Sequence, residues 1–548
     1  MRNRENNTKH VSGNIVDVVN SRIYPGTVQI VNGRITDIRE EPHPYKTYLV
    51  PGLVDAHIHI ESSMLPPSEF ARAAVIHGTV ATVSDPHEIA NVMGTAGVRY
   101  MVENAATVPV KFFFGAPSCV PASPCETSGA TLGPEETEEL LMWDQIHFLG
   151  EVMNVPAVLN GDLQMMRKIH TAQKYLKLID GHAPGLRGKD LEKYVQAGIT
   201  TDHECIDREE AREKIRLGMK VQIREGSAAR NFEELIPLVE EHPESCMFCS
   251  DDKHPDGLEQ GHINDLVKIS LSHGIDIMNV LKVACVNPVL HYRLDVGLLR
   301  KGDPADFLVI DNLKDFKVLK TYIKGEIVAE AGNSFIPRIP PQVVNNFTIR
   351  EKAVPDFALP AKRGNIHVIE VMEGQLITRK GTTVPKIADG YVVPDVERDI
   401  LKIAVVNRYQ DAPPAIGFIK NFGLKRGAIA SSVAHDSHNI IAVGVTDQEI
   451  CRAVNTIIKH KGGISAVSSE KTIILPLPIA GIMSDRDYNQ VAEQYRSSDN
   501  MAKSLGSPLH APFMTLSFMA LPVIPYLKLS DRGLFDGEHF QFIDVFTE

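Results

Sequence analysis

Apolar and polar positions first alternate in short runs. "NIVDVVN", "GTVQIVNG" and "RITDIRE", all before residue 51, read as strands punctuated by Pro25 and by the Asn32-Gly33 turn signal, and so as a small antiparallel sheet. From residue 51 to residue 290 the rhythm becomes strand then helix, repeated. Eight strands are predicted, over residues 54–60, 80–85, 111–116, 147–153, 178–182, 199–205, 220–224 and 246–251. Between them, "PPSEFARAAVIHG" places Phe70, Ala73, Ala74 and His77 at helical spacing and stops at Gly78, while "KDLEKYVQAG" and "DREEAREKIRLG" each start at an Asp and stop at a Gly. Eight strands alternating with helices over about 240 residues predict an α/β fold, a TIM (β/α)8 barrel, in which chemistry gathers at the C-terminal strand ends.

After the barrel, "VGLLRKGDPADFLVID" and "VLKTYIKGEIV" return to short strands that are expected to complete the N-terminal sheet. Pro337, Pro340, Pro341, Pro355 and Pro360 then mark a linker. Beyond it, strands such as "IHVIEVM" and "KIAVVN" mix with helices such as "TDQEICRAVNTIIKHKGG", which opens on a capping box, Thr446 and Glu449. The predicted organisation is a composite β-sandwich domain (1–50 plus 291–345), the barrel (51–290), a linker (346–362) and an α+β C-terminal domain (363–548).

Composition narrows the partners. The chain has 548 residues, 23% charged and 43% hydrophobic, the balance of a folded globular protein with room for several domains. Its 69 acidic residues against 57 basic ones argue against a nucleic-acid backbone as partner. The apolar run "PFMTLSFMALPVIPYLKL" is interrupted by Thr515, Ser517, Pro522 and Pro525, so it is expected in a core rather than a membrane. "MRNRENNTKHVSG" lacks the apolar core of an export signal, and seven scattered cysteines suggest free thiols in a reducing cytoplasm.

The chemistry begins at "LVDAHIHIESS". Strand alternation puts Asp55, His57, His59 and Glu61 on one face, and two same-face imidazoles can hold a metal. The other strand ends supply Glu151 in "FLGEVMN", His182 in "IDGHAPG", His203 in "TDHECID", and Asp251 with Asp252 in "MFCSDDKHPDG". Singly, each has an ordinary explanation as a turn, cap or loop residue. Together they would place four imidazoles and two or three carboxylates at one mouth, a heavy desolvation cost that a pair of divalent cations removes.

"PGLVDAHIHIE", followed by a strand-end Glu, His, His and Asp, resembles the amidohydrolase superfamily, and "GLLRKGDPADFLVID" resembles the return of such chains to their small sheet. The resemblance implies that His57, His59 and Asp251 hold one metal, that His182 and His203 hold the other, and that Glu151 bridges them. No lysine stands at the Glu151 strand end, which departs from members that bridge with a carboxylated lysine. "HIHIESSMLPPSEFARAAVIHGTVATVSDPHEIANVMG" with "GHAPG" and "AHDSHN" narrows the resemblance to the adenine deaminase family. That implies hydrolysis of adenine to hypoxanthine and ammonia in purine salvage, with two Mn2+ or Fe2+ ions (Zn2+ being an alternative) and a hydroxide bridging them as nucleophile. The catalytic residues expected are Asp251, as proton shuttle, and Glu151, with Asp252 and Glu204 as further shuttle candidates.

"SDPHE" lies past the second strand, where Asp85, His87 and Glu88 are expected to read the purine ring, alongside Glu204 and Asp252, with Asp85 or His87 capping a helix that starts near Ile89 as the alternative. "AHDSHN", from Ala434, is read as a solvent loop, with reach over the barrel or an ion site as alternatives. Cys246 and Cys249 are expected to pack in the core. The expected partners are a small purine base and a second copy of the chain in a homodimer, with no nucleic acid and no membrane. The rival readings are another binuclear amidohydrolase such as an amino-sugar deacetylase, and a barrel protein without catalysis.

Overall fold

The computed structural model describes residues 8–227 and 229–547; residues 1–7 of the polar N-terminal run lie outside them. Strands β1 (Thr8–Asp17), β2 (Arg22–Val31), β3 (Arg34–Glu40) and β4 (Tyr48–Pro51) precede the barrel. They share one eight-stranded sheet with β13 (Phe307–Ile310), β14 (Val318–Ile323), β15 (Glu326–Glu330) and β16 (Asn333–Ser334), which follow it. The join is direct, because β13 pairs antiparallel with β4 from Phe307 opposite Pro51 to Ile310 opposite Tyr48.

The chain between those segments closes a barrel. Its strands are β5 (Leu53–Ile58), β6 (Thr79–Ser84), β7 (Lys111–Ala116), β8 (Ile146–Val152), β9 (Leu178–Gly181), β10 (Thr201–Asp202), β11 (Lys220–Arg224) and β12 (Cys246–Cys249). All their pairings are parallel, in a run of five and a run of three. Two backbone bonds close the gaps: Asp251 N–H donates to His57 C=O at 3.0 Å, and Thr200 N–H to Ile179 C=O at 2.9 Å. Each predicted strand overlaps an observed one. Cys246 and Cys249 are fully buried, and all seven cysteines are free thiols.

Two predicted details change. β5 ends at Ile58 rather than Ile60, and residues Ile60–Ser63 form a 3-10 turn closed by Met64 in the left-handed region, so Glu61 leaves the face that His57 occupies. The helix in "KDLEKYVQAG" starts at Gly188 with no side-chain cap, which leaves Asp190 inside its first turn, whereas Asp207 does cap the helix Arg208–Arg216.

C-terminal to the barrel, a second eight-stranded sheet carries the helix Asp447–His460, which buries Ile450, Ala453, Val454 and Ile457 at helical spacing against it. Thr446 accepts from the Glu449 N–H at 3.2 Å, but the Glu449 carboxylate accepts from the Thr446 hydroxyl and the Gly427 N–H, so only half of the expected box forms. The proline-rich segment packs, burying Ile349 and Phe357 beside that helix. This region lies on the barrel's mouth: Ile60, Met64 and Leu65 share a hydrophobic core with Ile479, Met483, Phe513 and Met514. "PFMTLSF" is part of that core. No helix among the described residues is long and apolar enough to cross a membrane.

One buried charge knot stiffens the strand ends. Lys214 Nζ donates to Asp202 at 2.9 Å, to Glu210 at 2.6 Å and to the Ala183 carbonyl at 2.6 Å, and Asp202 also accepts from the Ala183 N–H at 2.7 Å. Lys214, Asp202 and Glu210 are all fully buried. The knot ties the residue before His203 to the residue after His182. Lys214→Met would strand two carboxylates without their cation, and we expect a loss of about 3–5 kcal/mol in unfolding free energy, read from the urea midpoint; an unchanged midpoint would contradict the stabilising role.

Candidate metal centre

The strand ends bring the predicted residues together. His57 is on β5 and His59 one residue beyond it, Glu151 is on β8, and His182, His203 and Asp251 follow β9, β10 and β12. Asp251 has φ +52, a left-handed conformation that Asp tolerates better than most residues.

Glu151 is the hub. Its Oε2 lies 2.9 Å from His182 Nδ1, 3.0 Å from His203 Nε2 and 3.9 Å from His57 Nε2, and its Oε1 lies 3.7 Å from His59 Nε2. Asp251 Oδ1 is 3.1 Å from His59 Nε2 and 3.6 Å from His57 Nε2, and those two nitrogens are 3.2 Å apart. Bonds of about 2.1 Å to a tetrahedral cation set neighbouring donor atoms about 3 to 3.5 Å apart, so both donor groups fit a divalent ion. Protonation divides the histidines: burial opposes charge on His59, His182 and His203, yet the facing carboxylates outweigh it and raise all three, His182 to about 9, so a bound cation would have to displace protons there. His57 and His203 stack with ring centroids 4.0 Å apart, and burial, followed by His203 and His59, holds His57 well below its ordinary pKa, in the neutral form that ligates. Burial opposes charge on Glu151, yet His182 and His203 outweigh it and keep the carboxyl well below its usual range.

Surrounding groups fix these side chains. Asp85 Oδ2 accepts from the Glu151 N–H at 2.9 Å, and it fits only because Gly150 has no side chain: a Cβ there would lie 2.3 Å from Asp85 Oδ2. His59 Nδ1 meets the Asp85 carbonyl at 3.0 Å, which leaves Nε2 to face Asp251. Arg224, at the end of β11, donates to Asp251 Oδ2 at 2.7 Å and forks onto Glu204. Sequence reading missed Arg224, although the rule that found the histidines, polar residues at C-terminal strand ends, would have found it. Glu204 Oε1 lies 3.6 Å from His203 Nε2, and Asp252 accepts from the Ser62 hydroxyl at 2.5 Å.

The "SDPHE" run is part of the mouth. Its helix begins at His87, after Pro86, with no side-chain cap, so neither Asp85 nor His87 is a cap. His87 Nδ1 lies 3.5 Å from Glu151 Oε1. Both oxygens of Glu88 are engaged by histidines of the C-terminal domain, Oε1 by His435 Nδ1 at 2.5 Å and Oε2 by His438 Nε2, which ties the run to that domain. "AHDSHN" is therefore not a solvent loop; it is buried and reaches over the barrel. Its turn-forming composition serves a tight loop inside the protein rather than outside it.

Comparison with known proteins extends these observations. Residues 48–328 match the amidohydrolase family, and residues 375–541 match the adenine deaminase C-terminal domain. Among curated proteins, the chain is 54% identical to an adenine deaminase of Salinibacter ruber, over 98% of this chain and 99% of that one. It is 55% identical to an adenine deaminase of Sulfurovum sp., over 97% and 99%, and 51% identical to one of Methanosarcina mazei, over 98% and 100%.

If the two donor groups hold cations, chelation should destabilise the fold. At metal concentrations a hundred times the Kd, the loss is about 2.7 kcal/mol per site. We expect a lower melting temperature after chelation, restored by two equivalents of Mn2+; a melting temperature indifferent to metal would argue against the centre.

Proposed function

The chain belongs to the amidohydrolase family and, within it, to the adenine deaminases, and from that premise we infer that it hydrolyses adenine to hypoxanthine and ammonia. The observation that carries the reading is the single Glu151 carboxylate set between His182 and His203 on one oxygen and His59 on the other, in a chain of full family length. In this reading His57, His59 and Asp251 hold one divalent cation, His182 and His203 the other, and Glu151 joins them. Bound there, the cations lower the pKa of water toward neutrality, as zinc does to about 7. Mn2+ and Fe2+ are the proposed ions, with Zn2+ as the alternative, since a site of imidazole and carboxylate donors suits all three.

The chain's own residues then divide the work. Water gives up one proton as its oxygen bonds to C6 of adenine, the C6–N bond breaks, the amino group departs as ammonia carrying that proton, and the remaining hydroxyl proton ends on ring N1 as C6=O forms. Asp251 is the proposed carrier of that proton. Arg224 donates to its Oδ2 and so holds the carboxylate with Oδ1 turned toward His57 and His59, at the edge of the space where the base would sit. Glu151, turned toward the four histidines by the Asp85 contact at its N–H, keeps the two halves of the site in register. His87, Asp252 and Glu204 border the same space and are the nearer candidates for contact with the ring. Seven free thiols support a reducing compartment, and we assign the protein to purine salvage in the cytoplasm.

The test is ammonia release by Mn2+- or Fe2+-reconstituted protein from adenine, adenosine, cytosine and an N-acetyl amino sugar. Adenine alone should react, and Glu151→Gln should reduce kcat by at least about a hundredfold while the protein stays folded. Turnover of the amino sugar without adenine would move the assignment to a deacetylase, and absence of turnover on all four would favour a barrel without catalysis.

A further inference from the structure

The deaminase reading leaves one loop without a task. Residues 434–439 leave the C-terminal sheet and enter the barrel's mouth, and they are tied down on both sides. Glu88 of the barrel holds His435 and His438, and Asn439 Nδ2 donates to the Thr127 carbonyl of the barrel at 2.8 Å. On the domain's own side, Tyr409 donates its hydroxyl to the Ser437 carbonyl at 2.6 Å, and the Arg408 N–H donates to Asn439 Oδ1 at 3.1 Å. Phe518 stacks on the His435 ring at 4.4 Å. A loop so fixed presents its tip, Asp436, in one orientation.

Asp436 is what the other anchors do not explain. It is only 4% exposed, yet among the described residues its carboxylate accepts no hydrogen bond, and its closest basic group is His87 Nε2 at 3.9 Å. A buried carboxylate without donors costs several kcal/mol unless a partner arrives. The other nitrogen of that same imidazole, His87 Nδ1, lies 3.5 Å from Glu151. Asp436 is thus one imidazole away from the bridging carboxylate, on the side opposite the barrel floor. Next to it, Glu126, from the long loop after β7, is also buried, with both carboxylate oxygens unpartnered. Burial, then the charge of Asp436, pushes Glu126 well above its ordinary pKa, and no hydrogen bond joins the two carboxyl groups. Among the described residues no lysine or arginine lies within 4 Å of Asp436, and the one imidazole that does, His87, stands at 3.9 Å, beyond hydrogen-bond reach.

We propose that Asp436 is the substrate-binding carboxylate contributed by the C-terminal domain, accepting a hydrogen bond from an N–H of the purine base held over the metal centre. This rests on adenine being the substrate. Adenine and hypoxanthine both carry an imidazole N–H, so the carboxylate grips substrate and product alike, and the C-terminal domain is part of the active site rather than an appendage. The missing donor for Asp436 is the base itself.

Asp436→Asn in the metal-loaded, full-length protein tests this. A hydrogen bond to a charged acceptor is worth about 1.5–3 kcal/mol, so the KM for adenine and the inhibition constant of hypoxanthine should both rise roughly 10- to 100-fold. kcat should fall less, and two metal equivalents should remain bound. A crystal structure of the wild type with hypoxanthine should place a ring nitrogen in hydrogen-bond contact with Asp436, and this decides the matter if the variant does not fold. Unchanged KM and inhibition constants, loss of metal in place of loss of affinity, or a bound base out of reach of Asp436 would each overturn the proposal while leaving the deaminase reading intact. A wild type that releases no ammonia from adenine would overturn both.

Discussion

One buried carboxylate, Glu151, sets the terms for the rest of the molecule. It is 3% exposed and touches His182 and His203 directly, with His57 and His59 within 4 Å, so its charge and theirs have to be balanced away from water. Isolated, such a group would protonate or disrupt the fold. Here the balance is reached by geometry that comes from several strands at once. β5, β8, β9, β10 and β12 must close into one parallel barrel before the donors converge, and the bare Gly150 is required so that Asp85 can hold the Glu151 backbone. The Lys214 knot behind β10, buried and fully paired, keeps the His182 and His203 ends from drifting apart. Barrel closure and ligand placement are therefore one event.

The barrel and the convergence of histidines and carboxylates at its mouth were legible because two patterns agree. Strand and helix alternate at the right length, and histidines and carboxylates gather at the C-terminal strand ends, a pattern that local sequence carries. The misreadings came where a pattern outran its element or where a partner was distant. The alternation in "DAHIHIE" continues past the real end of β5 because the 3-10 turn also buries Ile60, which imitates one more strand position. The tie from Glu88 to the C-terminal domain was invisible because its partners, His435 and His438, are 347 and 350 positions away. "AHDSHN" has the composition of an exposed turn, and no local signal distinguishes a tight loop in water from one pressed into another domain. Arg224 was overlooked because an arginine closing a strand usually only meets solvent, whereas here it pairs with Asp251 and Glu204 at 7% side-chain exposure.

The Glu88 contact with His435 and His438 also orders events in time. A ribosome delivers the chain from its N-terminus, so the strands that carry every proposed metal ligand, ending with Asp251, emerge nearly two hundred residues before His438 does. During that interval the barrel's rim carries a buried-type carboxylate with no partner, facing water. Only when the last domain has folded back across that sequence distance is the rim sealed. The strand-end donors thus emerge first and the loop that roofs them last, which leaves that mouth open to solvent for as long as the roof is unmade.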